Sequence, residues 1–260
     1  MARSLKETLA AGERAVGNWV SIGHGTVAEI AADLGYDFVL IDLEHTPIGL
    51  ETLEDLIRTV ESAPGETEAV VRVPWNDHVW IKRVLDLGPT GLMIPMVESA
   101  GEARDAVEAM QYPPTGRRGL GPARAARYGR DLPEYLDRAD DELVTICQIE
   151  SAAGVDNAGA IAETEGVDAV IVGQGDLSTN LGIFGEWEAA EFETALETVI
   201  TAADESDVPV GMLALDHEGI HRWVEAGVDF LIAGADIGYL VAGGEAAREE
   251  FEAATAAHDG

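Results

Sequence analysis

Two carboxylates stand one strand-helix repeat apart in this chain, Glu150 in Cys147-Gln148-Ile149-Glu150 and Asp176 in Gly173-Gln174-Gly175-Asp176-Leu177-Ser178. Each closes an apolar, β-branched run, Leu143-Val144-Thr145-Ile146 for the first and Asp168-Ala169-Val170-Ile171-Val172 for the second. Such runs read as buried parallel strands. Acids at the C-terminal ends of neighbouring strands are oxygen ligands for a hard divalent cation, and they suit Mg2+ and Mn2+ alike. Glu150 and Asp176 are therefore the candidate metal ligands.

A second polar group ends another predicted strand, Asp42-Leu43-Glu44-His45-Thr46-Pro47. A carboxylate three residues before a histidine can hydrogen-bond the imidazole, fix its tautomer and raise its basicity. Asp42 and His45 are the candidate general-base dyad, with Glu44 beside them. Arg72, in Val71-Arg72-Val73-Pro74, ends the third strand at the same face and could stabilise a developing enolate oxygen. The competing reading pairs Arg72 with Asp42 or Glu44. A Schiff-base mechanism needs a desolvated lysine. The only two lysines, Lys6 in the N-terminal lead and Lys82 in a helical run, do not fit that role, so carbonyl activation should come from a metal. Neither a Gly-x-Gly-x-x-Gly after the first strand nor a P-loop is present, which removes support for a nucleotide-dependent reaction.

The elements that position these residues alternate from end to end. Strands are expected near Asn18–Ile22, Phe38–Asp42, Ala69–Val73, Gly91–Ile94, Leu143–Ile149, Asp168–Val172, Val208–Leu213 and Val228–Ile232. Between them run helical stripes such as Leu50, Leu53, Leu56, Ile57 and Val60. Gly35, Gly166 and Gly227 mark helix ends before the next strand. Eight strand-helix repeats in 260 residues predict a single-domain α/β fold, a (β/α)8 TIM barrel over 1–260, with its active face at the strand C-termini. Strand alternation puts Gln148 and Glu150 on one face and Cys147 with Ile149 on the other. The lone cysteine reads as a buried strand residue and excludes an intramolecular disulfide.

Two segments depart from the repeat. A long stretch at about 111–142 carries Arg117, Arg118, Arg124, Arg127 and Arg130, five of the sixteen basic residues. It could attract anionic substrates or pair with acidic surface of the same or a neighbouring subunit. The C-terminal run at about 243–257 reads as an Ala/Glu-rich helix able to pack in trans.

Forty-nine acidic against sixteen basic residues give a formal charge of −33. Self-repulsion at that level is relieved by salt, so the chain is expected to be a halophilic protein of a salt-rich cytoplasm. Nucleic acid and anionic membranes are excluded as partners by the same charge. The N-terminal residues have no signal-peptide apolar core and no run approaches a membrane span, so a soluble, cytoplasmic protein is expected.

Taken together these motifs resemble the HpcH/HpaI aldolase family, the class II pyruvate aldolases. The likeness extends over nearly the whole chain and is carried by Ile41-Asp42-Leu43-Glu44-His45-Thr46-Pro47, Val71-Arg72-Val73-Pro74, Leu85-Asp86-Leu87-Gly88, Pro95-Met96-Val97, Tyr112-Pro113-Pro114 with Arg118-Gly119, Gln148-Ile149-Glu150 and Asp176-Leu177-Ser178. The resemblance implies a (β/α)8 barrel, a homo-oligomer (hexamer or trimer) with exchanged C-terminal helices, and Mg2+, Mn2+ or Co2+ held by Glu150 and Asp176. It further implies that pyruvate and a small aldehyde are the partners, that Arg72 stabilises the enolate, and that the Asp42–His45 dyad positions a water that moves the 4-hydroxyl proton. Gln148 would orient the keto acid and Trp19 would line the pocket. The family generally has proline and alanine where this chain has Gln174 and Gly175; Gly175 still permits backbone N–H groups to approach a carboxylate.

The leading expectation is thus a metal-dependent aldolase that cleaves a 4-hydroxy-2-oxo acid. A citrate-lyase-β or malyl-CoA type lyase acting on a thioester is the alternative, and a non-catalytic acidic metal-binding scaffold is the third reading.

Overall fold

A computed structural model describes residues 3–259. Eight parallel strands close into a barrel in sequence order: β1 Ala15–Val20, β2 Phe38–Asp42, β3 Glu68–Arg72, β4 Gly91–Ile94, β5 Val144–Ile149, β6 Ala169–Val172, β7 Val210–Ala214 and β8 Phe230–Ala235. The expected (β/α)8 architecture is the one observed. The first strand starts three residues earlier than the apolar pattern indicated, because its opening Ala15-Val16-Gly17 contains small residues that fill the barrel interior without looking like a strand. A Cβ on Gly17 would lie 2.4 Å from the Phe38 ring, and one on Gly211 would lie 2.2 Å from the Phe230 ring. Two large rings thus occupy the space two glycines leave, with Phe38 and Phe230 edge to face at 6.4 Å between centroids.

The core divides as a barrel requires. An inner cluster holds Phe38, Leu40, Val70, Met93, Ile146, Ile171 and Ile232, and the N-terminal helix Leu5–Ala10 closes its lower end with Leu5 and Leu9. An outer cluster fills the space between strands and helices, including the Leu53, Leu56, Ile57 and Val60 stripe of the helix Leu50–Ser62. Cys147 and Ile149 belong to this outer layer, as alternation predicted, and burial pushes the Cys147 thiol up to about 12. Gly35, Gly166 and Gly227 all take positive φ; Gly35 and Gly227 end their helices in the left-handed region, whereas Gly166 lies in the turn before β6, three residues past the Glu163 cap of the helix Ala158–Ala162. Among the described residues no helix is long and apolar enough to cross a membrane.

The arginine-rich stretch lies beside residues that precede strands, not those that follow them. It contains a 3-10 helix, Arg124–Gly129, and then a regular helix, Leu132–Glu142, that leads into β5. Arg124 donates to the Leu87 carbonyl at 2.6 Å and pairs with Glu61, at the end of the helices before β4 and β3. Arg117 pairs with Asp105, Arg127 with Asp131 and Arg118 with Asp86. These five arginines therefore occupy the N-terminal end of the barrel, and four of them pair with acids of the same chain. That geometry favours pairing within the chain over attraction of substrate, since the strand C-termini are at the opposite end; Arg118 is the buried member, its guanidinium against the Tyr112 and Tyr135 rings and donating to the Tyr135 hydroxyl at 3.0 Å.

The C-terminal helix spans Asp236–Asp259, beginning at the end of β8 and not at about 243, because Gly243 and Gly244 lie inside it without breaking it.

Candidate functional site

Each expected site residue sits near the C-terminal end of a strand, on the loop after it or, for Gly175 and Asp176, in the first turn of the helix that follows β6. The register of β2 with β3 places Asp42 directly beside Arg72. The guanidinium forks onto the carboxylate, Nε to Oδ1 and Nη2 to Oδ2, both at 2.8 Å. Its third nitrogen, Nη1, lies 2.8 Å from Glu44 Oε2, an ion pair too poorly aligned to satisfy that oxygen as a hydrogen bond. Arg72 is 5% exposed and Asp42 2%, so this is a buried pair with good geometry, the arrangement in which losing one partner is costly. The guanidinium also lies 4.5 Å from the Trp19 ring centroid. Trp19 packs on the inner core cluster while its ring supports the arginine, so it is both barrel filling and site floor.

The expected Asp42–His45 hydrogen bond is not formed. Both Asp42 oxygens are taken by Arg72, and Oδ1 also accepts from the Glu44 N–H at 2.9 Å. His45 is exposed, and its nearest carboxylate is Glu44, with Nε2 3.9 Å from Oε2. The reason is that sequence proximity placed the acid beside the imidazole, whereas strand register placed a bidentate cation closer. Burial raises the Glu44 carboxyl above the usual carboxylate range, opposed by Arg72 and His45 and reinforced by Asp42 and Asp176.

Across the mouth, Glu150 is 2% exposed. Its Oε1 accepts from the Met96 backbone N–H at 2.7 Å and its Oε2 from the Gln148 amide at 2.6 Å. Burial pushes its carboxyl up to about 7; the Met96 N–H lowers it, and the charges of Glu44 and Asp176 raise it further. Asp176 lies in the first turn of the helix Gln174–Asn180, exposed, with no hydrogen bond to its carboxylate among the described residues. The Gln148 Oε1 is buried without a partner.

Three features of this set fit a hard cation: two mutually repelling carboxylates, a desolvated acid without a neutralising partner of its own, and an orphaned amide oxygen. Among the described residues no group of three or more His, Cys, Asp or Glu side chains is arranged to hold a metal ion. Two protein carboxylates are nevertheless the usual complement for Mg2+, which keeps its other positions for water and substrate oxygens.

Two contributors were not singled out in the sequence. Met96 holds a positive φ of 53°, uncommon for a residue with a side chain, and that turn aims its N–H at Glu150. Gly173 is the close-approach glycine: a Cβ there would lie 2.4 Å from Glu150 Oε2 and 2.6 Å from Gln148 Nε2, whereas Gly175 has open space around it. The signals available were the Pro95-Met96-Val97 stretch and a glycine directly after β6; neither reveals by itself what its backbone faces. His24, at the end of the first barrel loop, caps the helix Gly25–Asp33 through Nδ1.

Comparison with known proteins gives the family. The model of the HpcH/HpaI aldolase/citrate lyase family matches residues 15–242. A 4-hydroxy-2-oxo-heptane-1,7-dioate aldolase of Shigella sonnei (strain Ss046) is 38% identical over 263 residues, covering 100% of this chain and 99% of its own. Among solved structures, an HpcH/HpaI aldolase/citrate lyase family protein from Burkholderia cenocepacia J2315 superposes with a TM-score of 0.93 at 36% identity, over 96% of this chain and 100% of that one. Citrate synthase SbnG superposes with a TM-score of 0.86 at 30% identity, over 97% and 98% of the two chains. With most of its length matched in this way, the chain belongs to the HpcH/HpaI aldolase/citrate lyase family.

Proposed function

We propose that this chain is a carbon-carbon lyase, a class II aldolase that reversibly cleaves a 4-hydroxy-2-oxo acid into pyruvate and an aldehyde with the help of a divalent ion. The observation that carries the reading is the pairing, at one barrel mouth, of an anionic set around Glu150 and Asp176 with the buried Arg72 fork. Glu150 and Asp176 would hold Mg2+, Mn2+ or Co2+. When bound, such an ion supplies Lewis-acid polarisation of the keto acid's oxygens.

The chain's own residues supply the rest. Gln148 orients the keto acid. Arg72 offers fixed positive charge to the oxygen on C2 as the C3–C4 bond breaks and its electron pair becomes that of an enolate. His45, at the mouth, accepts the proton that the 4-hydroxyl loses as the aldehyde forms, with Glu44 as its neighbouring acid and Asp42 fixing Arg72. The enolate then takes a proton at C3, balanced by the one His45 accepted and passed on directly or through water, which completes pyruvate and restores the base. In this reading the backbone N–H groups at the start of the Gln174–Asn180 helix, with Gly175 among them, bind the keto acid's carboxylate.

The test needs no aldehyde. Pyruvate methyl protons should exchange with D2O, followed by NMR in high salt, when Mn2+ or Mg2+ is added. Absence of exchange with every metal would turn the reading toward thioester or citrate chemistry, which the likeness to citrate synthase SbnG keeps as the second reading.

The assembly is a homo-oligomer, a hexamer or trimer, in this proposal. Support comes from the C-terminal helix, whose Ile237, Leu240, Val241 and Phe251 are exposed in the single chain. The net charge of −33 supports a halophilic, cytoplasmic setting.

A further inference from the structure

The positive charge of this chain is sorted by position in the barrel. Arg72 is the one lysine or arginine at the strand C-termini; the segments 21–24, 43–49, 73–77, 95–99, 150–151, 173–189 and 215–216, which carry every loop from a strand to its helix, contain none. Arg72 is already held on all three nitrogens' sides by Asp42 and Glu44 and is buried. Arg222, on the helix His217–Ala226, is held at 3.0 Å by both Glu188 and Glu218. The arginine-rich stretch is at the other end of the barrel. Around the mouth the same loops instead present exposed apolar side chains, Trp75 after β3, Phe184 after β6 and Leu215 after β7.

On the aldolase reading, a 4-hydroxy-2-oxo acid would place its C1 carboxylate and C2 carbonyl beside Arg72 and Gln148, and the remainder of the molecule, beyond C4, would extend toward these loops. If that remainder ends in a second carboxylate, the carboxylate needs a cation or several donors. Four carboxylates, Asp42, Glu44, Glu150 and Asp176, already face one guanidinium, and a divalent ion added to that guanidinium still leaves the negative charges in the majority. Salt does not repair the deficit: it screens charges that are separated by solvent, but supplies no fixed donor to a carboxylate in contact.

We propose that the aldehyde handled by this chain is uncharged, and that semialdehydes bearing a distal carboxylate are poor partners. The inference rests on the aldolase reading and narrows it. It also separates this chain from the relatives named for a heptane-1,7-dioate, whose cleavage at C3–C4 releases pyruvate and 4-oxobutanoate by carbon count.

The discriminating pair is 4-oxobutanoate and 4-oxobutanamide, which have nearly the same shape and differ in charge. The full-length protein, loaded with Mn2+ in molar KCl, is assayed for condensation of each with pyruvate, and D2O exchange of pyruvate is measured in the same preparation. The expected result is kcat/KM at least about tenfold higher for the amide, the discrimination that one unpaired carboxylate produces. Equal or better use of 4-oxobutanoate overturns the proposal and means that a cation reaches the mouth from outside this chain's own loops. Exchange without turnover of the amide also counts against it. Failure of exchange with any metal instead removes the aldolase reading on which the proposal stands.

Discussion

The two ends of the barrel both hold arginines against carboxylates, yet they do different work. At the N-terminal end, Arg3, Arg58, Arg124, Arg127, Arg130 and Arg138 line a groove of about 940 Å³. Several of its ion pairs, such as Arg127 with Asp131 and Arg138 with Glu142, are between half-exposed groups one helical turn apart. Exposed pairs of that kind stabilise by less than about 1 kcal/mol each. At the C-terminal end a single arginine is buried, held by two acids, and surrounded by polar atoms that lack partners. The first end spreads most of its charge over exposed pairs that solvent can relax around, with Arg118 the exception, buried between the Tyr112 and Tyr135 rings. The second concentrates desolvated charge where a substrate and a cation can complete it, which is the division between stability and chemistry expected of this fold.

Removing the proposed cation ligands should give the largest effect. Glu150→Ala and Asp176→Ala are each expected to lower metal-dependent pyruvate exchange by at least about a hundredfold, with metal affinity measured by titration falling alongside and the far-ultraviolet spectrum unchanged. Activity retained by both variants would remove the cation site from these residues. His45→Ala comes next, slowing aldol cleavage by about a hundredfold or more while sparing metal affinity. Full turnover by that variant would assign the base to another group.

The contrast between the two faces is sharpest in stability. Arg72→Met should cost about 3–5 kcal/mol in a chemical denaturation series, because Asp42 is left buried and charged without its partner. Arg127→Ala, at the other end, should change the same measurement by no more than about 0.5 kcal/mol. Similar losses for the two would show that burial does not separate the faces. Gly173→Ala tests the packing of the active end: its Cβ cannot fit beside Glu150 without displacing it, so exchange activity should drop about tenfold with a smaller change in melting temperature.

The smallest effect concerns pH. Burial raises the Glu68 carboxyl, and no cation is among the groups that act on it; the Leu5 N–H donates to it at 3.1 Å. A carboxyl whose folded pKa lies above its unfolded value costs stability once ionised, so the cost grows as pH rises from the unfolded value through the folded one and is absent below both. Glu68→Gln keeps the acceptor and removes the charge. Its melting temperature should rise by roughly 1–2 °C at pH 7, a few tenths of a kcal/mol for this length once solvent screening is allowed for, and should match the parent near pH 3. A rise that persists at pH 3 would point to something other than the charge.

Much of the active end could be read along the chain because barrel chemistry sits at strand ends, and strand ends are marked by where apolar β-branched runs stop. Glu150, Asp42 and Arg72 stand at such stops, Glu44, His45 and Asp176 within four residues after them, and Gln148 follows from Glu150 by the two-residue alternation. The first strand was read late because Ala15 and Gly17 carry no strand signature; the smallness of Gly17 is explained only by the ring of Phe38, its register partner on the neighbouring strand. The arginine-rich stretch was legible as charge but not as location, since only the path of the preceding helices puts it at the far end.

What the sequence determined by itself was the repeat, the barrel, the family and the set of polar residues at the mouth, because these depend on periodicity and on order along the chain. What the tertiary structure decided was who partners whom. Asp42 is three residues from His45 and thirty from Arg72, yet β2 and β3 lie in register with Asp42 opposite Arg72, and the fork forms there. The left-handed turn that points the Met96 N–H at Glu150, and the absence of a Cβ at Gly173 that lets Glu150 and Gln148 meet, belong to the same class. Each is a contact between neighbouring strand ends, set by the lateral register of the sheet, and no local pattern in the chain encodes that register.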